Sequence, residues 1–330
     1  MTHLWITLGP SSLGREKEML GLGATGARLT FSFGTPELQL ERARVLREAA
    51  RASGRPCLNV ADLAGEKYRL GAFAGPPTIE AESGRRFRLT LSDQLDPLAL
   101  RALPVPAQTF FEHLTPGDVI TVGDGAAELS VVDCADSEAS VEVTLGGVIN
   151  QFRGLTVRGK EFRPRALTDK DRSDLEFIAQ HEEFDAVAVS FVSSAADVVA
   201  ARGALAGRDL PVIAKIETAH GVENIEEICT AADMVMAARG DLALSIPWVD
   251  LPEAVELIIG GARATGTPWI LATQIAEGLE RFSLPTRAEI CDLALAQPGL
   301  RGRASVLRDR LRRERARRGA RRRRDDTPME

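Results

Sequence analysis

The sequence has few of the residues that build disulfide-stabilised, zinc-binding or membrane-spanning proteins. Its cysteines lie far apart without a C-x-x-C pair, which argues against a disulfide framework or cysteine zinc site and favours a reducing cytoplasm; they are Cys57, Cys134, Cys229 and Cys291. The histidines also lack the spacing of zinc ligands. No run of about 18 apolar residues occurs, so we expect no membrane span.

Two further signals are missing near the N-terminus. The opening MTHLWITLGPSS has neither a basic region nor a long apolar stretch, so we expect no signal peptide. No G-x-G-x-x-G follows the first predicted strand, which disfavours a dinucleotide site. The chain does have 330 residues, 44% of them hydrophobic, which suffices for one large core and a smaller domain.

Charge is unevenly distributed along the chain. The net charge is -6, yet residues 301–330 contain 13 arginines against five acidic residues, a local charge of +8 that leaves -14 on the rest. The acidic body argues against nucleic-acid binding. A basic run of this kind is usually a solvated helix face or a disordered tail and less often a nucleic-acid site. Its abrupt composition also suggests an out-of-frame ending.

Short apolar runs alternate with helical patterns over most of the chain. The runs start at residues 4, 26, 57, 185, 211, 233 and 268, and this alternation predicts a parallel sheet, closed or doubly wound. Residues 73–160 instead read as short alternating strands, typical of an inserted β-domain. The predicted segments are 1–72 and 161–300 for the α/β part, 73–160 for the insert and 301–330 for the tail. An eighth strand should follow residue 296, and none is clear.

Polar residues stand where several of these strands end. Lys215 and Glu217 are two apart on one strand, so they point to the same side and could serve an oxyanion and a metal; an ordinary ion pair is the alternative. Asp241 could bind a hard cation or sit in an ordinary turn. Thr273 could deliver a proton or cap a helix, and Arg28 could bind phosphate or lie free on the surface.

Taken together, the motifs resemble those of the pyruvate kinase family over residues 4–296. The segments are LGPSS, ARLTFSFG, ADLAGEKYRLG, LTDKDRSDL, VSFVSSAADV, IAKIETAHGVENIEEI, MAARGDLALSIP and LATQIAEGL with PTRAEICD, in family order. The resemblance implies a (β/α)8 TIM-type barrel with an inserted small β-barrel domain, incomplete at its C-terminal end. It also implies phosphoryl transfer from phosphoenolpyruvate to ADP, giving pyruvate and ATP.

The same resemblance assigns roles to individual residues. Glu217 and Asp241 would bind Mg²⁺ or Mn²⁺, and Lys215 would stabilise the phosphoryl group in transfer. The implied substrate residues are Arg28, Ser190, Lys215, Gly240, Asp241 and Thr273; the implied nucleotide residues are Pro10, Arg28 and Arg69. Catalysis would fall to Lys215, Thr273 and Arg28.

The sequence departs from the family on the nucleotide side. Phe33 replaces a family histidine, Leu38 replaces a tyrosine, and Leu63 to Lys67 replace T-K-G-P-E. Lys67 stands where potassium-independent members carry lysine, and the monovalent-cation region would comprise Thr30, Ser32, Asp62 and Lys67. We therefore expect that K⁺ is not required.

Three interpretations of the chain remain open at this point. It is a short pyruvate kinase, a related metal-dependent enol or keto-acid enzyme with another acceptor, or a non-catalytic paralogue. The altered nucleotide side favours the second and the unusual C-terminus favours the third. A barrel with an open edge would also tend to self-associate into a homo-oligomer.

Overall fold

A computed structural model of the chain describes residues 3–123, 125–158 and 167–296, with only the backbone described at position 10 and at 280–282. Its strands are β1 (Leu4–Thr7), β2 (Ala24–Thr30), β3 (Leu58–Asp62), β4 (Ala72–Phe73), β5 (Thr78–Ala81), β6 (Arg86–Leu91), β7 (Gln94–Leu95), β8 (Ala102–Val105), β9 (Val119–Val122), β10 (Ala127–Ala135), β11 (Glu138–Leu145), β12 (Gly147–Asn150), β13 (Leu155–Val157), β14 (Ala186–Val189), β15 (Val212–Ile216), β16 (Met234–Ala238) and β17 (Trp269–Ala272).

Helices lie between the parallel strands, as the alternation in the sequence predicts. They are α1 (Glu16–Gly21), α2 (Pro36–Ser53), α3 (Pro97–Leu100), α4 (Gln108–Glu112), α5 (Asp169–Ala179), α6 (Ala195–Ala204), α7 (Ala219–Glu223), α8 (Ile225–Ala231), α9 (Arg239–Ser245), α10 (Leu251–Thr265), α11 (Glu277–Phe282) and α12 (Arg287–Ala296), with a 3₁₀ turn at Pro10–Ser12. The α/β class is confirmed. No helix in these ranges is both long and apolar enough to cross a bilayer.

One sheet of seven parallel strands organises residues 3–273. Its order is β1-β2-β3-β14-β15-β16-β17, so β1 and β17 are its edges within the described residues. Alternate residues of each strand face two different apolar clusters, because side chains in a strand alternate between the two faces. The larger cluster includes Ala61, Ala214 and helical residues, and the smaller one includes Val60 and Ile213.

A buried amide ties the start of β3 to its surroundings. Asn59 donates from Nδ2 to the carbonyls of Ala43 on α2 and Glu183, each at 2.9 Å. Its backbone amide donates to the Asp185 carboxylate at 2.8 Å. These bonds join a helix, a strand and the segment entering the next strand, at the end of the sheet opposite to the strand C-termini.

The insert between β3 and α5 has its own strands and its own core. Six strands form a sheet in the order β13-β9-β10-β11-β6-β8, with β12 paired to β5 and β4 paired to β7. Residues such as Phe87, Phe110 and Val141 fill this core. The segment between β3 and β4 pairs with the insert through a bridge between Arg69 and Gly154. Closure of this sheet into a barrel, like the predicted domain boundaries, stays a prediction.

Residues 274–296 belong to a second compact unit. Within it, the Glu289 carboxylate accepts hydrogen bonds from the backbone amides of Gly278 at 2.7 Å and Thr286 at 2.6 Å. These bonds join the starts of α11 and α12. The predicted eighth strand and the Arg-rich tail 301–330 lie outside the described residues.

Candidate active site

Polar side chains continue the inner face of the parallel strands at their C-terminal ends. On β15, Ile213 belongs to the inner cluster, so Lys215 and Glu217 share its face by the two-residue period. Ala188 and Ser190 show the same relation at the end of β14, and Val60 and Asp62 on β3. The sequence thus brings polar side chains from three adjacent strands to one buried place, as parallel α/β sheets do at the ends of their strands.

Lys215 occupies the centre of this cluster. Its Nζ lies 2.6 Å from Ser190 Oγ, 3.1 Å from Asp62 Oδ1 and 3.2 Å from Glu217 Oε1, with only 8% of the side chain exposed. Burial alone would lower the pKa of Lys215, but the negative charges of Asp62 and Glu217 raise it above its usual value. The ammonium is therefore held charged in a site that excludes most water.

Asp62 is shared between two cations. Its Oδ2 accepts from Arg28 Nε at 2.8 Å, while its Oδ1 faces Lys215. The Asp62 side chain is 1% exposed, whereas 37% of the Arg28 side chain is exposed. Arg28 thus presents donors to solvent at the rim of the cluster, where an anion can reach them.

Both oxygens of the Glu217 carboxylate are engaged. Oε1 faces Lys215, and Oε2 accepts from the backbone amide of Phe191 at 2.9 Å. Burial is the main cause that raises the pKa of Glu217, opposed by Lys215 and reinforced by the charge of Asp241. Ser245 Oγ donates to the Glu217 carbonyl at 3.1 Å and so fixes the backbone behind it.

Asp241, in the first turn of α9, pairs with Lys67. Lys67 Nζ lies 2.5 Å from Asp241 Oδ1, and about a quarter of each side chain is exposed. Gly154 of the insert lies against the lysine stem, since a Cβ at position 154 would stand 2.9 Å from Lys67 Cε. The pair therefore links the segment that leads into the insert to the helix at the end of β16.

The end of β17 lies beside the start of α9. A Cβ added to Gly240 would stand 3.1 Å from Thr273 Cγ2, so the lack of a side chain lets the two elements approach. Thr273 has φ 75°, a left-handed value that is costly for a β-branched residue. Arg239 stabilises this turn because its guanidinium donates to the carbonyls of Ala272 at 3.1 Å and Thr273 at 2.5 Å.

A family model described as "Pyruvate kinase, barrel domain" matches residues 1–302. The chain belongs to the pyruvate kinase family. Pyruvate kinase of Geobacillus stearothermophilus is 34% identical over 302 residues, covering 89% of this chain and 51% of the relative. Those of Corynebacterium glutamicum and Thermotoga maritima are 34% and 32% identical, again over 89% of this chain and over 62% and 63% of their own lengths.

The chain thus spans between half and two thirds of the length of these pyruvate kinases. The matched part includes every residue assigned above to the candidate site. Membership of the pyruvate kinase family, expected from the motifs, is confirmed.

The carboxylates of the candidate site in this chain suit a divalent cation that also binds oxygens of water or substrate. Within the described ranges, no three His, Cys, Asp or Glu side chains converge to hold a metal by themselves. Burial and, to a lesser extent, the charge of Asp241 raise the pKa of Glu217, and a cation bound by both carboxylates would relieve the repulsion between them. Mg²⁺ commonly takes one or two carboxylates and completes its shell with water and substrate oxygens, so the donor set fits.

The residues expected on the nucleotide side of the site include two apolar side chains that are exposed, Phe33 and Leu38. Phe33 is 66% exposed, and the Arg69 guanidinium lies 5.9 Å from its ring centroid. Arg69 also donates to the Phe152 carbonyl at 3.2 Å, and its burial lowers its pKa below the usual value. Leu38 is partly exposed on the first turn of α2.

The remaining sequence-predicted residues are Thr30, Lys67, Ser32 and Pro10. Thr30 ends β2 opposite Asp62 in the strand register, and the next residue, Phe31, donates its amide to the Asp62 carbonyl at 2.9 Å. Lys67 meets Asp241, which the motifs did not pair with it. Ser32 follows β2 and is half-buried, whereas Pro10 starts the 3₁₀ turn after β1, with only its backbone described.

Sequence reasoning missed three residues that shape the site. Phe191 and Ser245 hold Glu217, and Arg239 holds the turn at Thr273. Asp62 was expected only near a monovalent cation, yet it contacts both Arg28 and Lys215. The available signal was that Phe191 lies within the segment VSFVSSAADV and Arg239 within A-R-G-D. Their contacts, however, involve backbone atoms, and backbone contacts leave no residue-type signature.

Proposed function

We propose that this chain transfers a phosphoryl group from phosphoenolpyruvate to a nucleoside diphosphate, yielding pyruvate and a nucleoside triphosphate. The observation that carries the proposal is Lys215, a buried ammonium held between Asp62 and Glu217 at the ends of parallel strands. A fixed positive charge in a site of low water content stabilises charge that develops on a transferring phosphoryl group. Because the chain covers only part of its relatives, the full activity is part of this proposal.

The residues of the site divide the work by position. Arg28 and Arg69 bind phosphate oxygens from the rim, and Lys215 neutralises the phosphoryl group as it leaves the enol oxygen. Backbone amides at Gly240 and Asp241 hold the substrate carboxylate, beside the Ser190 hydroxyl. Thr273 then supplies a proton, directly or through water, to the methylene carbon of the enolate, which completes pyruvate.

Glu217 and Asp241 hold the divalent cation, Mg²⁺ or Mn²⁺, in this proposal. When bound, the cation supplies Lewis-acid stabilisation of anionic oxygens. The Lys67 ammonium contacts the Asp241 carboxylate. This contact supports the proposal that a lysine of the protein supplies the positive charge that K⁺ would otherwise provide. We therefore propose activity without added K⁺, in the cytoplasm, where both substrates are available.

A phosphorus NMR time course tests the proposal. The full chain is incubated with phosphoenolpyruvate, ADP and Mg²⁺ in potassium-free buffer. Appearance of the ATP resonances together with pyruvate is the expected result. Loss of that signal in Lys215→Met, but not in the exposed-site control Lys17→Met, assigns the reaction to this cluster. No turnover with K⁺ and several nucleoside diphosphates present would refute the kinase assignment.

A second function is favoured by Phe33 and Leu38, two exposed apolar side chains on the side expected to take the nucleotide. In that case the enol pocket serves another acceptor. Exchange of pyruvate methyl protons with solvent deuterium separates the cases, because it needs the metal and Lys215 but no nucleotide. Exchange without ATP formation favours the other acceptor, and the absence of both exchange and pyruvate binding favours a non-catalytic paralogue.

A further inference from the structure

Phe191 has an unusual backbone conformation at a sensitive place. It directly follows Ser190 at the end of β14 and has φ 55°, in the left-handed region. Aromatic side chains are seldom found there, because the Cβ atom crowds the neighbouring carbonyl. Such backbone strain persists only where surrounding contacts fix it, and it concentrates at functional sites.

The contacts of this residue connect two neighbouring strand ends. The Phe191 amide donates to Glu217 Oε2 at 2.9 Å, and the next amide, that of Val192, donates to the Lys215 carbonyl at 3.2 Å. Both bonds run from the end of β14 to the end of β15. Since Lys215 faces the other Glu217 oxygen, the Phe191 amide and the Lys215 ammonium together fix the rotation of the carboxylate, and the amide is its one hydrogen bond from the backbone among the described contacts.

The phenyl ring is packed against a second left-handed residue. Gly65 has φ 66°, and a Cβ at that position would stand 2.7 Å from Phe191 Cδ2 and 2.7 Å from Ser190 Cβ. The ring therefore lies directly on the Gly65 backbone. The ring contacts Gly65 whereas the backbone amide contacts Glu217, so substitutions can test the ring and the backbone of Phe191 separately.

We propose that Phe191 is a positioning residue for the divalent cation: its left-handed backbone aims an amide at Glu217 and thereby orients the carboxylate for metal binding. The inference rests on the proposed function, because it takes Glu217 as a metal ligand. It assigns the effect to the backbone conformation and the amide, with no contact between Phe191 and the cation. Groups that orient metal ligands in this way typically change metal affinity by about 10–100-fold when they are lost.

Four substitutions separate the backbone from the ring. Phe191→Gly and Phe191→Asn remove the ring but tolerate the left-handed region, Phe191→Ala tolerates it poorly, and Phe191→Val scarcely at all. Binding of Mn²⁺ to the full chain is followed by electron paramagnetic resonance of the free ion, without substrates. We expect Gly and Asn to bind within about threefold of wild type and Val to bind about tenfold or more weakly, with Ala between.

The controls decide what each outcome means. Glu217→Gln should abolish the measured Mn²⁺ site, and thermal scans establish that each variant is folded. If the Val variant does not fold, the ordering of Gly, Asn and Ala carries the same test. Equal Mn²⁺ affinities in all four variants, or a loss of affinity in the Gly and Asn variants as large as in the Val variant, would overturn the inference. Either result would leave the proposed function standing. A wild-type chain that binds Mn²⁺ neither alone nor with phosphoenolpyruvate present would overturn both.

Discussion

Replacing Lys215 by methionine tests whether the buried charges depend on one another. The substitution keeps most of the side-chain volume and removes the ammonium that contacts Asp62 Oδ1, Glu217 Oε1 and Ser190 Oγ. Asp62 keeps Arg28 as a partner, but Glu217 keeps only the Phe191 amide. Two buried carboxylates then share a region of low dielectric constant without the cation between them.

The expected loss follows from the burial. Removing one partner of a buried ion pair typically costs about 3–5 kcal/mol. For a chain of this length the entropy of unfolding near 60 °C is about 0.7 kcal/mol/K, so the melting temperature should fall by about 4–7 °C. The double substitution Lys215→Met with Glu217→Gln removes one of the stranded charges and should recover part of this loss.

Differential scanning calorimetry at pH 7 in the presence of a chelator measures the effect without a contribution from bound metal. Lys17→Met, at an exposed lysine, is the matched control and should change stability by less than about 0.5 kcal/mol. The reasoning is refuted if Lys215→Met melts within about 1 °C of wild type. It is refuted as well if the added Glu217→Gln lowers the melting temperature further.

Three further predictions concern the surroundings of the site. Lys67→Met should lower the rate in potassium-free buffer, with added K⁺ restoring part of it; a rate unaffected by the substitution would remove Lys67 from the site. Gly65→Ala should destabilise the chain more than Gly54→Ala, because both have positive φ but only position 65 has side chains within 4 Å of the added Cβ; equal melting temperatures would contradict this. Burial raises the pKa of Asp174 although Lys170 opposes the shift, so the stability contributed by this group is present at acid pH and falls as the carboxyl ionises. The melting temperature of Asp174→Asn relative to wild type should therefore rise between about pH 4 and pH 7, and a constant difference would count against it.

The parallel sheet and much of the candidate site follow from simple periodicities. Mainly apolar runs of five to nine residues, separated by helical patterns, indicated strands that the structure gives four to seven residues. The two-residue spacing of Lys215 and Glu217 placed both on one face, where the structure has them 3.2 Å apart. These features depend on local sequence and on strand geometry, which every residue of a strand obeys.

Pairings over long sequence distances could not be derived in the same way. Lys67 and Asp241 are 174 residues apart, and only the folded sheet brings them together. The left-handed conformation of Phe191 gave no signal either, because phenylalanine is a residue type that rarely adopts it. Sequence patterns report propensities, whereas these contacts depend on tertiary packing that overrides them.

The side chains of Asp62, Lys215, Glu217 and Arg28 balance one another in charge, with two cations against two carboxylates, and Lys67 with Asp241 adds a further neutral pair. An incoming phosphate ester alone, or a divalent cation alone, would leave this enclosed region with a net charge that little water is present to screen. Substrate and metal should consequently bind with positive cooperativity, each raising the affinity for the other by the same factor. The balance of charge among these side chains thus favours the binding of both ligands together over the binding of either one.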